Sequence, residues 1–191
     1  MKKLFLVGAL ALFGAMNAQF GLKAGLNIAS IDNFAEDQSS RIGFYGGVFY
    51  NAPLSSSIKI QPELLYNSKG VKGEGELDDE GETTASLNLD YISIPVMFQY
   101  NVTPEFYFEV GPEFSILASA KYKMLGMSFD VKEGFNTFDV GLGIGAGYYF
   151  KPVNLGLTAR YTVGFIDTFK DYEESSKNGA FQIGLAYKFK K

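Results

Sequence analysis

Residues 138–150 read FDVGLGIGAGYYF, and their apolar side chains fall at every second position. Phe138, Leu142 and Ile144 share one face of an extended chain, because successive side chains of a β-strand point to opposite faces. Glycine occupies every odd position from residue 141 to residue 147. The stretch therefore predicts a β-strand with one apolar face and one face that is almost bare.

Seven further segments show the same two-residue period, and short turns alternate with longer polar loops between them. An even number of strands with short turns at one end and long loops at the other is typical of outer-membrane barrels. The sequence predicts an all-β fold, an eight-stranded antiparallel up-and-down transmembrane β-barrel with both chain ends on the short-turn side. The other apolar faces run from Phe20 to Ile28, Ile42 to Tyr50, Ile58 to Tyr66, Ile92 to Tyr100, Phe106 to Ile116, Leu155 to Phe165 and Phe181 to Phe189; the predicted turns are 51–57, 101–104 and 151–154, and the predicted loops are 30–40, 69–85, 119–136 and 166–178.

The first residues have the layout of a secretory signal peptide. Lys2 and Lys3 precede an apolar stretch at 4–14, and a small-residue cleavage site follows at 15–18. This apolar stretch is too short for a transmembrane helix, which needs about 20 residues. We therefore expect residues 1–18 to be a signal peptide and residues 19–191 to be the outer-membrane β-barrel domain.

The period of two does not by itself say which face meets lipid, because a soluble barrel that carries an apolar ligand also alternates. The apolar faces carry too many aromatic rings for the interior of an eight-stranded barrel, which side chains already fill. The opposite faces are mainly glycine with few charges, whereas a soluble barrel needs a densely charged exterior. The sequence thus favours apolar rings toward lipid and glycine toward the lumen.

Aromatic residues group at the two ends of the predicted strands, as expected for rings that prefer the headgroup level of a membrane. Ordinary strand propensity also enriches Phe and Tyr and is the alternative explanation. The predicted interface aromatics are Tyr50, Tyr100, Tyr148, Tyr187, Tyr66 and Phe165.

The glycine-rich faces also carry charges of both signs in nearly equal number. Charges in a narrow lumen must pair to offset their desolvation. We predict a buried ion network of Arg160 with Glu63, Glu109 and Glu113 that fills and rigidifies the barrel, with proton or ion conduction as the alternative. The complete predicted lumen set is Arg160, Glu63, Glu109, Glu113, Arg41, Lys23, Lys59, Asp139 and Lys188.

Three prolines, Pro62, Pro95 and Pro112, fall inside predicted strands. Proline cannot donate to a strand ladder and belongs at edges or bulges. We therefore expect local bulges or strand ends at these three positions.

The same prolines belong to motifs that resemble the PorT-like outer-membrane β-barrel domain family. Residues 61–66 (QPELLY), 91–95 (YISIP) and 110–112 (VGP) match its third, fourth and fifth strands, and the resemblance spans about residues 19–189. It implies outer-membrane residence and insertion by the barrel-assembly machinery. The family's founding member is linked to secretion and gliding, a role that the resemblance alone does not transfer.

The composition excludes several kinds of chemistry. The chain has no His and no Cys, so it lacks the usual general base and thiolate ligands, and no Ser-His-Asp triad can form. A formal net charge of −4 without a basic run does not suit nucleic acid. We therefore predict no enzyme, no cofactor and no metal site; the carboxylates at 74–82 indicate a solvated acidic loop, with calcium binding as the alternative.

The predicted function is that of a small outer-membrane barrel with a structural or surface-interaction role. Apolar residues in the predicted loops, among them Met124, Leu125, Met127 and Phe129, suit a partner surface. The alternatives are a small pore or secretion-associated component, and a soluble periplasmic barrel with an apolar ligand. The expected partners are outer-membrane lipids, the barrel-assembly machinery and an unidentified protein or ligand at the external loops, and we expect a monomer.

Overall fold

The computed structural model describes residues 19–32, 38–77, 81–170 and 175–189. The predicted signal peptide at 1–18 lies outside these residues. No helix in the described ranges is long and apolar enough to cross a membrane. The strands are β1 (Gln19–Ile31), β2 (Gln38–Pro53), β3 (Ile58–Leu77), β4 (Gly81–Asn101), β5 (Phe106–Met124), β6 (Met127–Asp130), β7 (Phe138–Phe150), β8 (Leu155–Asp167) and β9 (Lys177–Lys188), with short 3-10 helices at Lys132–Gly134 and Lys151–Val153.

The predicted fold is confirmed, because eight of these strands form one closed antiparallel barrel. The strand order is β4-β3-β2-β1-β9-β8-β7-β5, and pairing of β4 with β5 closes the ring. The short strand β6 pairs with β5 and extends the wall at the loop end. Phe44, Phe108 and Leu142 are 57%, 54% and 41% exposed, so the apolar face points away from the lumen.

The barrel wall extends further on the loop side than the sequence analysis predicted. The expected loop at 69–85 is mostly strand, because β3 and β4 pair continuously from Leu65↔Ser93 to Leu77↔Gly81. Beyond the lipid, the outward face does not need apolar side chains, so the alternation in the sequence ends while backbone pairing continues. The predicted loop at 119–136 likewise contains the end of β5 and all of β6.

The bulges expected at the three prolines are absent, and that prediction was wrong. Pairing of β2 with β3 is interrupted opposite Pro62 but resumes in the same register, from Phe49↔Glu63 to Ala52↔Ile60. At each proline, pairing with one neighbouring strand is interrupted, but no residue is inserted, so the strand keeps its direction. The register shifts that do occur lie near the loop end, between Ser40/Tyr45, Asp90/Tyr91 and Val163/Asp167.

The interior is closed at both ends by apolar packing and is polar between them. An aromatic layer of Phe49, Tyr107 and Tyr149, packed against Ala186, lies near the short turns. An apolar cap lies at the loop end, where the turn before β7 folds inward and Phe135 pairs with Phe169. The buried residues of the apolar cap are Ile31, Val71, Leu87, Leu89, Tyr91, Leu117, Ala120 and Phe135.

Large rings inside the lumen are a feature that the sequence analysis missed. Tyr45, Phe49 and Tyr107 are almost completely buried although they lie among the residues assigned to the nearly bare face. The glycines of that face provide their space. A Cβ at Gly147 would overlap the Tyr107 hydroxyl, and one at Gly184 would collide with Tyr45.

Candidate functional site

A buried ion network crosses the middle of the lumen, and we call Lys23, Glu63, Glu109 and Arg160 the middle cluster. The Arg160 Nη2 atom lies 2.7 Å from Oε1 of both Glu63 and Glu109, and the Arg160 side chain is 1% exposed. Its Nε donates to Glu109 Oε1 at 2.8 Å, and Nη1 donates to Glu63 Oε2 at 2.9 Å. Lys23 Nζ lies 3.4 Å from Glu63 and 4.0 Å from Glu109. Two cations therefore face two carboxylates.

Amide side chains add hydrogen bonds to both carboxylates of the middle cluster. Gln61 Nε2 donates to Glu63 at 2.8 Å, and Gln99 Nε2 donates to Glu109 at 3.0 Å. Asn51 Nδ2 then donates to the oxygens of both glutamines at 2.8 Å. Every carboxylate oxygen of Glu63 and Glu109 therefore accepts at least one hydrogen bond, which offsets part of the desolvation of the buried charges.

Pairing register explains why Arg160 meets Glu109. Glu109 pairs with Gly145, and Gly145 pairs with Arg160, so the three residues form one row across β5, β7 and β8. A Cβ at Gly145 would lie 3.2 Å from the Arg160 Cβ. The absence of a side chain at this position leaves room for the guanidinium to cross to Glu63.

A second group of charges lies closer to the loops, and we call Lys69, Glu113 and Asp139 the upper cluster. Sequence analysis predicted that Glu113 joins Arg160, but Glu113 instead accepts a hydrogen bond from Lys69 Nζ at 2.9 Å. Asp139 interacts electrostatically with Lys69 and Glu113. Glu113 Oε2 and Asp139 Oδ1 are buried without a hydrogen-bond partner among the described residues.

Lys69 is a lumen residue that the sequence analysis missed, because it was placed in a loop. Continuing the inward positions of β3 in steps of two from Glu63 through Leu65 and Asn67 leads to Lys69, and all of them are buried. The signal was therefore present in the strand period. It was hidden because the outward positions beyond Tyr66 are no longer apolar.

Three predicted lumen residues lie outside both clusters. Arg41 donates to the Ser68 hydroxyl at 3.1 Å and to the Lys69 carbonyl at 2.7 Å, near the loop-side bulge of β2. Lys188 lies at the short-turn end with its Nζ 3.7 Å from the centre of the Tyr149 ring. Lys59 is half-buried at the same end.

The six predicted interface aromatics all lie on the outer surface. Tyr50 and Tyr66 are half-buried because neighbouring rings cover them, with ring centres 4.9 Å from Phe20 and 5.3 Å from Phe44. The other four are more exposed: Tyr100, Tyr148, Tyr187 and Phe165.

At the loop end, strands β5 and β6 form a hairpin at residues 121–130, which we call the loop-side hairpin. Leu125 and Gly126 at its tip have φ of 51° and 76°. Positive φ at both central residues is typical of a tight two-residue hairpin turn. Leu125, Met127 and Phe129 are exposed. Among described residues no three acidic groups converge on a metal position; the side chains at 74–82 and residues 171–174 lie outside the described set.

The chain resembles known proteins with this architecture. The model of the outer membrane protein beta-barrel domain matches residues 15–170. Neisserial surface protein A shares 16% identity at a TM-score of 0.56, with 90% of this chain and 97% of that chain covered. The attachment invasion locus protein Ail of Yersinia pestis shares 16% identity at a TM-score of 0.48, with the same coverage. No curated protein sequence matches this chain.

Proposed function

Because the chain belongs to the outer membrane protein beta-barrel domain family, we propose that it is a surface-interaction barrel. Its lumen acts as a rigid support and its loop side contacts a partner. The protein resides in the outer membrane, which excludes the soluble periplasmic carrier. The observation that carries the proposal is the closed lumen, in which the middle cluster spans the barrel from β8 to β3 and β5.

The loop-side hairpin is the surface that we assign to the partner. It presents Leu125, Met127 and Phe129 to solvent, and exposed apolar groups beyond the membrane mark contact sites. Leu125 lies at the tip of the turn with a positive φ, where such turns prefer Asn, Asp or Gly, so the chain places a large apolar side chain at the most exposed point of the hairpin.

Substitutions on the two faces of the hairpin test the proposal. We expect the triple variant Leu125→Ser/Met127→Ser/Phe129→Ser to lose retention of cell-surface or host-extract ligands on immobilised barrel. The matched control, Lys121→Ser/Lys123→Ser, alters the same hairpin at exposed lysines and should retain them. Equal retention by both variants, with both barrels heat-modifiable on a gel, would refute the assignment.

A small pore is the second candidate, and the unpartnered oxygens of the upper cluster favour it. In planar bilayers we expect low conductance from the wild type and a sharp increase from Arg160→Ala, because the guanidinium that crosses the lumen is removed. If the wild type conducts as well as Arg160→Ala, the lumen is a pore, and the protein has a transport role instead of a support role.

We infer placement in the PorT-like subgroup, which the motifs at 61–66, 91–95 and 110–112 support and which implies insertion by the barrel-assembly machinery. We infer a monomer that contacts outer-membrane lipids, a non-catalytic role from the lack of His and Cys, and removal of residues 1–18. N-terminal sequencing of the protein from outer membranes tests the cleavage.

A further inference from the structure

Charge is unevenly distributed along the lumen. The middle cluster has two cations and two carboxylates, and the upper cluster has one lysine with two carboxylates. At the short-turn end Lys59 and Lys188 face the lumen, and neither forms an ion pair within the described ranges. This end of the barrel therefore carries uncompensated positive charge.

The carboxylates of the lumen cannot neutralise these two lysines. Glu63 and Glu109 are fully engaged by Arg160 and the glutamine amides, and the aromatic layer lies on the short-turn side of them. The Lys188 ammonium rests on the Tyr149 ring at 3.7 Å, which compensates part of its desolvation. Lys59 and Lys188 also repel each other electrostatically.

The nearest acidic group outside the lumen is also occupied. Glu105 Oε1 lies 2.6 Å from Lys151 Nζ, and this hydrogen bond lowers the pKa of the Glu105 carboxyl. Lys151 adds its own repulsion to Lys59. A third lysine therefore increases the positive potential at this mouth, and its one described carboxylate is used in a surface pair.

A pocket of about 350 Å³ lies beside Lys59, between the turn before β3 and the turn before β5. Ser56, Ser57, Asn101 and Thr103 contribute to its lining. Thr103 Oγ1 accepts hydrogen bonds from the backbone of Glu105 and Phe106, which fixes one turn. The hydroxyls of Ser56 and Ser57 have no hydrogen bond to any described residue and are free to donate.

We propose that this pocket binds an oxyanion of the phosphate class. Lys59 supplies the charge, the serine hydroxyls supply directional donors, and Lys188 strengthens the potential from the lumen side; charge-assisted hydrogen bonds of this kind are strong. The same chemistry fits a free oxyanion in the periplasm and the phosphate of an inner-leaflet lipid headgroup. The site is at the opposite end of the barrel from the loop-side hairpin and is independent of its role.

The first experiment measures binding of inorganic phosphate to the refolded barrel in a phosphate-free, non-ionic detergent by titration calorimetry. We expect one saturable site, with Lys59→Gln weakening it about 10–100-fold, the value of one charge-assisted contact. Lys188 does not line the pocket, so Lys188→Gln should weaken binding by a smaller factor. Lys123→Gln, which removes an exposed charge at the loop end, is the control and should bind as the wild type does. Heat-modifiable migration establishes that each variant is folded.

The second experiment distinguishes the two sources of phosphate. Barrels extracted from vesicles of phosphatidylglycerol are examined by native mass spectrometry for one retained lipid. Phosphate binding that depends on Lys59 supports the free oxyanion, whereas lipid retention that depends on Lys59 without phosphate binding supports the headgroup. Absence of both, or binding unchanged in both lysine variants, would overturn the proposal.

Discussion

The middle and upper clusters are built from the same residue types inside one lumen, yet they differ in how completely their charges are matched. Arg160 and Lys23 balance Glu63 and Glu109, and amides add hydrogen bonds to both carboxylates. In the upper cluster one lysine serves two carboxylates and leaves acceptor atoms unpartnered. The difference indicates that the middle cluster stabilises the barrel, whereas the upper cluster is only partly compensated.

The planar guanidinium accounts for much of this difference. Arg160 bonds two carboxylates at once through Nε, Nη1 and Nη2, which the fork geometry of arginine permits. Lys69 is a single point charge and reaches only Glu113 at 2.9 Å. A lysine can attract Asp139 electrostatically, but it does not organise a second carboxylate with fixed geometry.

The largest effect is expected at Arg160. Arg160→Met keeps much of the volume but leaves Glu63 and Glu109 buried and short of a cation, so we expect a loss of about 3–5 kcal/mol in the free energy of unfolding. Urea unfolding of the barrel in detergent, followed by circular dichroism, measures it. Lys123→Met is the exposed control, and equal stability of both variants would contradict the role given to the middle cluster.

A smaller loss is expected at Lys69. In Lys69→Met the carboxylates of Glu113 and Asp139 lose their shared cation, but Lys69 makes one hydrogen bond to this pair, whereas Arg160 makes three to the carboxylates of the middle cluster. We therefore expect about 1–3 kcal/mol of destabilisation, measured by the same unfolding assay. A loss as large as that of Arg160→Met would show that the two clusters do not differ in the way described.

Removal of the excess charge in the upper cluster should have the opposite sign. Asp139→Asn leaves Lys69 with Glu113 alone, a matched pair, so we expect stability equal to the wild type or higher by up to about 1 kcal/mol. Glu109→Gln, the same kind of change in the balanced cluster, serves as the comparison and should destabilise. Destabilisation by Asp139→Asn to a similar extent would contradict the excess of negative charge assigned to the upper cluster.

The smallest effect is expected at the exposed pair of Glu105 and Lys151. The hydrogen bond from Lys151 lowers the pKa of Glu105 in the folded barrel. The pair therefore adds to the free energy of unfolding at pH values above the ordinary pKa of the carboxyl. This stabilisation is lost as the pH falls through the lowered pKa. Exposed ion pairs contribute little to the free energy of unfolding. The unfolding midpoints of Glu105→Gln and wild type should differ slightly at neutral pH and converge in acid; divergence in acid would invalidate the pairing.

The two-residue period determined the faces of the strands from sequence alone. Alternation is a local property of an extended chain, so Phe44, Glu63 and Arg160 could each be assigned outward or inward without knowledge of their partners. The number of strands and the alternation of short turns with long loops followed in the same way. The count of eight strands also indicated that the lumen is narrow, although not which rings would occupy the space above the inward glycines.

Tertiary structure decided which inward charges meet. Glu109 and Glu113 lie four residues apart on the same face, so the period cannot choose between them; the register Glu109↔Gly145↔Arg160 does. Lys69 was missed because strand pairing continues beyond the lipid, where the outward apolar pattern ends. The sequence thus determined whether each side chain points inward or outward, since that depends on its own strand. Register and closure across distant strands decided which side chains it contacts.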